Sequence, residues 1–408
     1  MASHGQIDLE TSSHFMKDSM HNVLFNVRGS YFFGSDAITN EFASHYYLGK
    51  FIDEDLKDNV TKNLSSMNHF GGQAMWDISL TFHPDTGNNK VEAYVAFRNR
   101  VHSSSGFSKD FFEIFFRGNK MFAGETADLS DFSFQQYTYR QYVFGIGNEF
   151  AIKGKGRLYL GADLAINRGI SFINITTDNA MLFTAEEGEF LYADLDASIY
   201  TDDSSAQHPS KLDGSGYSCD FYLEYETEKT LLSFAVENYG SIQWNKWSTT
   251  VNIDTAFTFD GIEVKDLFDI VDSVRVKGIN LDSTLYDNYV RDREQGRVTT
   301  KLPMKISGLY TMYFSNRRVS ATLGMDVLLN ANAGNRYYAG ATYKLNRTNQ
   351  IGVSVASGGY TTFHAGLGLT HWFPWNVKLE LGSHYLYPMI TYKTGKSQGA
   401  YLSLSKSF

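Results

Sequence analysis

Apolar and polar side chains alternate with a period of two along most of this chain. In segment 319–329, one face carries Val319, Ala321, Leu323, Met325, Val327 and Leu329, and the other carries Ser320, Thr322, Gly324 and Asp326. Successive side chains of a β-strand point to opposite faces, so the pattern predicts strands that each have one apolar face. The same split recurs near 74–82, 91–98, 142–150, 158–166, 191–199, 219–226, 232–238, 337–345, 351–356, 363–373, 377–387 and 398–408.

Turn-forming stretches such as "HPDTGNN", "KGKG", "NANAGN" and "KTGKSQ" separate these segments. The count is roughly sixteen candidate strands, and bacterial barrels close with an even number. Two candidates, 22–33 and 247–259, alternate more weakly. We predict an all-β chain: a single transmembrane antiparallel up-and-down β-barrel of 14 or 16 strands over residues 1–408, with helical or irregular insertions.

The two faces of the predicted strands differ in charge. The apolar faces are nearly free of charge and often end in aromatic residues, for example Phe82, Tyr337 and Phe373, as the interfacial girdles of a membrane barrel require. A soluble sandwich or propeller is the alternative interpretation. In a barrel the polar faces line the lumen, and the residues predicted there are Asp163, Asp194, Asp196, Asp220, Glu224, Arg318, Asp326 and Arg336. Acids outnumber bases on these faces, which predicts a negative interior.

The last predicted strand, 398–408, has a distinct pattern. Ala400, Leu402, Leu404 and Phe408 fall on one side, and serines dominate the other. We expect the apolar row to face lipid and the strand to pair with the first strand, since a barrel has no free edge. As a general property of outer-membrane barrels, such a strand with a terminal aromatic residue is an assembly signal, which assigns that role to Leu402, Leu404 and Phe408.

Three stretches depart from the alternation and are predicted insertions: 34–68, 101–136 and 260–302. In the first, Ile52, Leu56, Val60 and Leu64 have helical spacing. In the third, helical spacing relates Val264, Leu267, Phe268, Val271 and Val274. Extracellular loops, lumen plugs and partner surfaces are all consistent with these insertions.

Composition narrows the class of protein further. The 408 residues carry a net charge of −9 and a mean hydropathy of −0.30, and no basic cluster suggests nucleic acid. Cys219 is the only cysteine, so a disulfide within the chain is ruled out. The first residues, "MASHGQIDLE", lack the basic and apolar regions of a signal peptide. We expect a bacterial outer-membrane protein whose signal peptide has been removed.

No motif supports catalysis or cofactor binding. "TGKSQG" lacks the first glycine of a phosphate loop, because Ile390 stands there, and "GSGYSCD" has Asp220 in place of the last glycine of a nucleophile elbow. The histidines lack metal-ligand spacing, and the Asp-rich turns lack the full oxygen set of a calcium loop. We therefore predict no enzymatic activity, catalytic residue, cofactor or metal.

Several segments resemble one known family. They are "RGNKMFAGETADLS", "YRQYVFGIGNEF" leading into "GRLYLGADLAINRGIS", "FTFDGIEVKDLFD" and "KLPMKISGLYTMYF". In order and spacing they are similar to a Bacteroidota outer-membrane β-barrel family of unknown function, itself broadly similar to the PorP/SprF and FadL-type barrels associated with type IX secretion. The resemblance covers about Thr11 to Phe408.

The resemblance implies a non-enzymatic accessory subunit of an outer-membrane complex, in secretion, gliding or barrel-assembly machinery. The alternative is a FadL-like or porin-like channel for a small or hydrophobic solute. The expected partners are outer-membrane lipid and other outer-membrane or periplasmic proteins, and no nucleic acid.

Overall fold

The strands close into a ring. A computed structural model describes residues 23–83, 90–202, 213–259 and 292–408. Its strands pair antiparallel, and the last pairs with the first, with Leu24 opposite Ser407 and Gly34 opposite Ser397. Fourteen strands form this ring, in the order β1-β2-β3-β5-β6-β8-β9-β13-β14-β15-β16-β17-β18-β19, which confirms the predicted antiparallel barrel at the lower of the two strand numbers.

The strands are β1 Val23–Ser35, β2 Met67–Phe82, β3 Lys90–Ser108, β4 Thr126–Asp128, β5 Ser133–Ile152, β6 Gly156–Thr184, β7 Leu191–Thr201, β8 Gly214–Glu226, β9 Thr230–Trp244, β10 Thr249–Phe259, β11 Asp292–Gln295, β12 Thr299–Lys301, β13 Met304–Phe314, β14 Val319–Leu329, β15 Arg336–Lys344, β16 Asn349–Gly358, β17 Thr361–Phe373, β18 Val377–Ser383 and β19 Ser397–Ser407. The helices are α1 Asn40–Tyr47, α2 Glu54–Thr61, α3 Lys109–Arg117 and α4 Leu386–Ile390, with 3₁₀ turns at Asn119–Phe122 and Pro374–Asn376.

The outer face of the ring is apolar and the inner face is polar, as the alternation predicts. On β19, Leu404 is 46% exposed on the outside, whereas the next residue, Ser403, is 1% exposed on the inside. Leu404 lies between Val27 of β1 and Leu379 of β18, so the apolar row continues across neighbouring strands. Exposed aromatic residues collect near both ends of the strands: Phe82, Phe150, Phe314, Tyr343, Phe373 and Phe408 at one, and Tyr31, Tyr217, Tyr239, Tyr337 and Phe363 at the other. Such girdles mark the two membrane interfaces.

The two ends of the ring differ in their connections. At the end where β19 finishes, the strands are joined by short turns such as 153–155, 227–229 and 374–376; this is the turn end. At the opposite, loop end, long segments join β1 to β2, β3 to β5 and β18 to β19. Outer-membrane barrels place short turns in the periplasm and long loops outside the cell.

A ribbon of strands rises beyond the ring at the loop end. The lower half of β6 pairs with β8, but its upper half, Ile173–Thr184, pairs with β7, and β7 pairs in turn with β10. β7 therefore continues the line of β8, and β10 that of β9, outside the closed ring. Asp194 and Asp196 lie on β7, beyond the lumen that they were expected to line. Of the two weak candidates, 22–33 is a ring strand and 247–259 belongs to the ribbon.

The first two predicted insertions contain the cap, which we define as helices α1, α2 and α3 at the loop end. Phe42, Leu56, Val60, Phe107 and Phe112 form its buried core, so the helical spacing predicted for Leu56 and Val60 is correct. The second insertion is narrower than predicted, because β3 extends to Ser108 and β5 begins at Ser133. In the third, 260–291 lies outside the described residues, and 292–302 contains β11 and β12.

Among the described residues, no helix combines the length and apolar character that a membrane crossing requires.

Candidate functional site

The lumen contains buried charges that bond to one another across the ring. Arg98 on β3 is fully buried, and its guanidinium lies 3.0 Å from Asp220 on β8 and 3.5 Å from Asp163 on β6. Since β5 and β6 stand between β3 and β8, this one side chain links strands three places apart. Gln141 of β5 connects to the cluster through Asn238: Gln141 Nε2 donates to Asn238 Oδ1 at 3.2 Å, and the backbone N–H of Asn238 donates to Asp220 at 2.7 Å.

Six other lumen acids also have cationic or hydroxyl partners: Glu226, Glu92, Asp77, Glu237, Asp326 and Glu380. Glu226 accepts hydrogen bonds from Arg157 at 2.6 Å and from Arg317 at 2.9 Å. Tyr159 donates to Glu92 at 3.1 Å. Four further pairs lie within bonding distance: Arg28 Nε to Asp77 at 3.0 Å, Lys305 to Glu237 at 2.9 Å, Arg336 Nε to Asp326 at 2.8 Å and Lys378 to Glu380 at 3.0 Å.

These pairs correct the prediction of a negative interior. The predicted lumen residues Asp163, Asp220, Glu224 and Asp326 are buried inside the ring, and Arg336 bonds to Asp326 there. The sequence count missed the cations Arg28, Arg157, Lys305 and Arg317, which neutralise the acids. Arg318, also predicted in the lumen, is exposed at the turn end, where its guanidinium donates to the carbonyls of Lys344 and Leu345.

Tyr360 closes part of the lumen at the loop end. The turn before it contains Gly358 and Gly359 at φ of 95° and 73°, a conformation that favours glycine and turns the chain inward. The Tyr360 ring is 4% exposed, and its hydroxyl lies 3.3 Å from His102 Nε2 on β3, five places away around the ring. It lies so close to Gly71 that a Cβ there would stand 2.3 Å from the ring. Tyr360 therefore bridges the lumen.

The loop between β14 and β15 crosses the same opening. Gln135 on β5 donates from Nε2 to the Asn330 carbonyl at 2.8 Å, and the Asn332 amide donates to Ser104 Oγ on β3 at 3.3 Å. β14 stands five places from β5 in a ring of fourteen, so the loop reaches almost the full width of the barrel. Beside it, a buried aromatic cluster fills the space under the ribbon: Tyr137, Tyr139, Phe172, Ile242, Trp244 and Leu302.

A cavity of about 70 Å³ remains between these closures and the charge clusters. Arg100 and His102 line it from β3, while Tyr360 and Tyr385 line it from the opposite wall. By the measure that one water needs about 10–15 Å³, it has room for about five water molecules. We call this space the lumen cavity.

The cap has its own charge cluster, outside the membrane-spanning strands. Arg117 at the end of α3 donates to Glu54 at 2.6 Å and Asp58 at 2.5 Å, and Glu113 lies 2.8 Å away. Burial alone would lower the pKa of Arg117, but the bond to Asp58 and the charges of Glu113 and Glu54 raise it. This cluster ties α3 to α2.

Within the described ranges, no three His, Cys, Asp or Glu side chains come together in a way that could hold a metal ion.

Comparison with known proteins places the chain in a family. A family model described as "Family of unknown function (DUF5723)" matches residues 20–377. The chain belongs to this family. No curated protein matches it. Because the DUF5723 family has no assigned activity, membership names no substrate or partner.

Solved structures with similar chain paths include several outer-membrane barrels. A mutant of the monoaromatic hydrocarbon channel TodX has a TM-score of 0.47 at 10% identity, covering 95% of this chain and 91% of that one. The toluene transporter TbuX of Ralstonia pickettii has a TM-score of 0.42 at 11% identity, covering 95% and 90%. The translocator domain of the autotransporter NalP from Neisseria meningitidis has a TM-score of 0.34 at 8% identity, covering 96% and 90%.

Proposed function

We propose that this protein is a non-conducting outer-membrane barrel that serves as a non-enzymatic subunit of a larger outer-membrane complex. Secretion, gliding and barrel-assembly machinery are the candidate complexes, by its resemblance to the PorP/SprF-type barrels of Bacteroidota. The observation that carries the proposal is the crossed lumen. Arg98, Tyr360 and the 330–335 loop each reach between separated strands, and an open pore requires a continuous path of water instead.

The cap supports a partner-binding role. Between α1 and α2, Tyr47 is 80% exposed, Leu48 61% and Phe51 84%. Large aromatic and aliphatic side chains exposed side by side are typical of interaction surfaces. They stand at the loop end on a packed helical core, which holds them in place.

Conductance measurements test the claim that the barrel is non-conducting. We expect purified, folded protein to be silent in a planar bilayer. A variant lacking 331–334 and carrying Tyr360→Ala removes the Tyr360 bridge and shortens the loop that carries the Asn332 contact to Ser104, and we expect it to conduct. This variant also shows that the protein inserts, so silence of the unaltered protein is interpretable. Stable conductance of the unaltered barrel would contradict the proposal.

Co-purification tests the claim that the barrel is a subunit of a larger complex. Extraction in mild detergent at native expression is expected to recover a partner at a fixed stoichiometry. Tyr47→Ser with Phe51→Ser should release that partner. Trp375→Ser is the matched control, because Trp375 is equally exposed, at 84%, but lies at the turn end. A folded monomer without partners, or equal loss in both variants, would count against the subunit role.

A solute channel is the second candidate, and the lumen cavity favours it. In that case the bridges at the loop end are a gate that opens with solute. Asp194 and Asp196, which lie on the ribbon, are not useful probes of such a channel. Solute-dependent conductance of the unaltered protein would decide for the channel over the closed subunit.

A further inference from the structure

Arg100 is a buried cation without a counter-charge. It projects into the lumen from β3, between Met75 of β2 and Tyr139 of β5, and is 7% exposed. Its Nε is fully buried without a hydrogen-bond partner. In the part of the chain that the structure describes, no carboxylate pairs with Arg100 and none of its N–H groups donates a hydrogen bond. Arg98, two residues away on the same face, bonds to two carboxylates.

An unpaired buried guanidinium is costly for the folded protein. Removing a cation from water is repaid only when an opposite charge and hydrogen bonds replace the water. Arg98, Lys305 and Arg336 meet this condition within the protein, because each is paired with a carboxylate. Arg100 instead lines the lumen cavity, where a bound molecule can supply the missing charge.

The charges around the cavity define the charge of that molecule. Lys305 is neutralised by Glu237, and Arg336 by Asp326, so these two pairs contribute no net charge. Arg100 leaves one uncompensated positive charge, which one negative charge balances. A phosphate dianion would bring a second negative charge with no free cation beside it.

The residues that line the lumen cavity define the shape of the molecule that it can bind. A guanidinium presents two parallel N–H groups that match a carboxylate. The remaining surface is largely aromatic and aliphatic: Phe32, Tyr139, Leu328, Tyr360 and Tyr385. We propose that the lumen cavity binds a small monocarboxylate, with its carboxylate on Arg100 and its apolar part between these rings. The site is independent of the subunit role, since a closed barrel can hold a ligand.

Direct binding to the purified full chain tests the proposal. Saturation-transfer NMR with propionate as the probe is expected to show saturable binding, since its five non-hydrogen atoms match a cavity with room for about five waters. Propionamide has nearly the same shape without the charge, and we expect it to bind at least about tenfold more weakly, as fits a hydrogen bond to a charged group. Equal binding of propionamide, or tighter binding of inorganic phosphate or chloride than of propionate, would overturn the assignment. These measurements use the unaltered protein, so they do not depend on any variant folding.

Variants then assign the binding to Arg100. Arg100→Met should lower propionate affinity at least about tenfold and should also raise the unfolding temperature of the ligand-free protein, because it removes the unpaired charge. Arg100→Lys should retain partial binding. Lys378→Met is the matched control: Lys378 is also a lumen cation, paired with Glu380, but does not line the cavity, and the propionate affinity of this variant should not change. Unchanged affinity in Arg100→Met, or a lower unfolding temperature without ligand, would refute the proposal.

Discussion

The Arg98 cluster makes a quantitative prediction about what holds the barrel together. Replacing Arg98 by methionine keeps much of the side-chain volume and removes the charge. Asp163 and Asp220, whose side chains are 2% and 3% exposed, would then face each other without a cation. Removing one partner of a buried pair costs about 3–5 kcal/mol. We expect Arg98→Met to destabilise the barrel by this amount.

A compensating variant separates lost charge from lost packing. Asp163→Asn with Asp220→Asn removes the repulsion between the two carboxylates. It keeps a side-chain oxygen at position 220 to accept the backbone N–H of Asn238, which in the native protein donates to Asp220 at 2.7 Å. The triple variant should therefore recover most of the stability that Arg98→Met loses. Lys57→Met in the cap is the matched control, because its partner Glu54 is 67% exposed. Exposed pairs contribute about 0–1 kcal/mol.

The assay is urea unfolding in detergent micelles, followed by tryptophan fluorescence and by heat-modifiable mobility on gels. Both signals report loss of the folded barrel. The reasoning fails if Arg98→Met costs no more than Lys57→Met, since the lumen cluster would then behave like a surface pair. It also fails if the triple variant is no more stable than Arg98→Met.

Three further predictions concern the membrane face, the ribbon and assembly. Leu404→Arg puts a charge on the lipid face and should lower the free energy of unfolding by about 2–4 kcal/mol, a cost that is smaller for positions nearer the membrane interface. Leu404→Ala should lower it by less than half as much in the same urea assay. Burial, helped by the charge of Asp213, raises the pKa of Asp202 from 3.8 to about 6, so stability falls as pH rises between those values. Asp202→Asn should therefore raise the unfolding temperature at pH 7.5 but not at pH 4, and an equal rise at both would exclude this origin. Deleting Phe408 should reduce the yield of barrel in the membrane fraction more than it reduces the stability of barrel already folded, and the opposite order would remove its role as an assembly signal.

Ser403→Arg is the control for Leu404→Arg that the alternation pattern suggests, but the structure shows that it is unsuitable. Ser403→Arg looks mild on the alternation pattern, because Ser403 points inward. Ser403 is in fact 1% exposed, and it lies opposite Arg28 in the β1–β19 pairing. An arginine there would be crowded and next to a like charge, so it should be as damaging as Leu404→Arg.

The ring was predictable from sequence because lipid imposes a local rule. Every strand in the membrane must have an apolar outer face, so the alternation of the adjacent residues in sequence is enough to predict that Leu323 and Leu404 face lipid. The helical spacing of Leu56 and Val60 is equally local, and it located α2. The strand ends were less clear, since β3 continues to Ser108 through serines and glycine that carry little periodic signal.

The lumen and the ribbon were not predictable, for a different reason. Arg98 and Asp220 are 122 residues apart, and nothing in their local pattern says that the ring brings them within 3.0 Å. β7 alternates like a ring strand, because a two-sided ribbon above the membrane needs the same period of two. That is why Asp194 and Asp196 were expected in the lumen. That Arg100 has no carboxylate partner was likewise not predictable, because it depends on side chains from several strands that are distant in sequence.

The ribbon has a consequence for what approaches the protein from outside. β6 continues beyond its last pair with β5, which joins Ser133 and Thr176, for eight residues, Thr177–Thr184, that span about 26 Å along the strand. Among the residues that the structure describes, the turn at its far end, 185–190, is therefore a part of the loop end that an antibody or a phage can reach. Pressure to escape recognition would act on that turn, whose sequence can vary without touching the lumen. An epitope placed there would report the orientation of the barrel in intact cells.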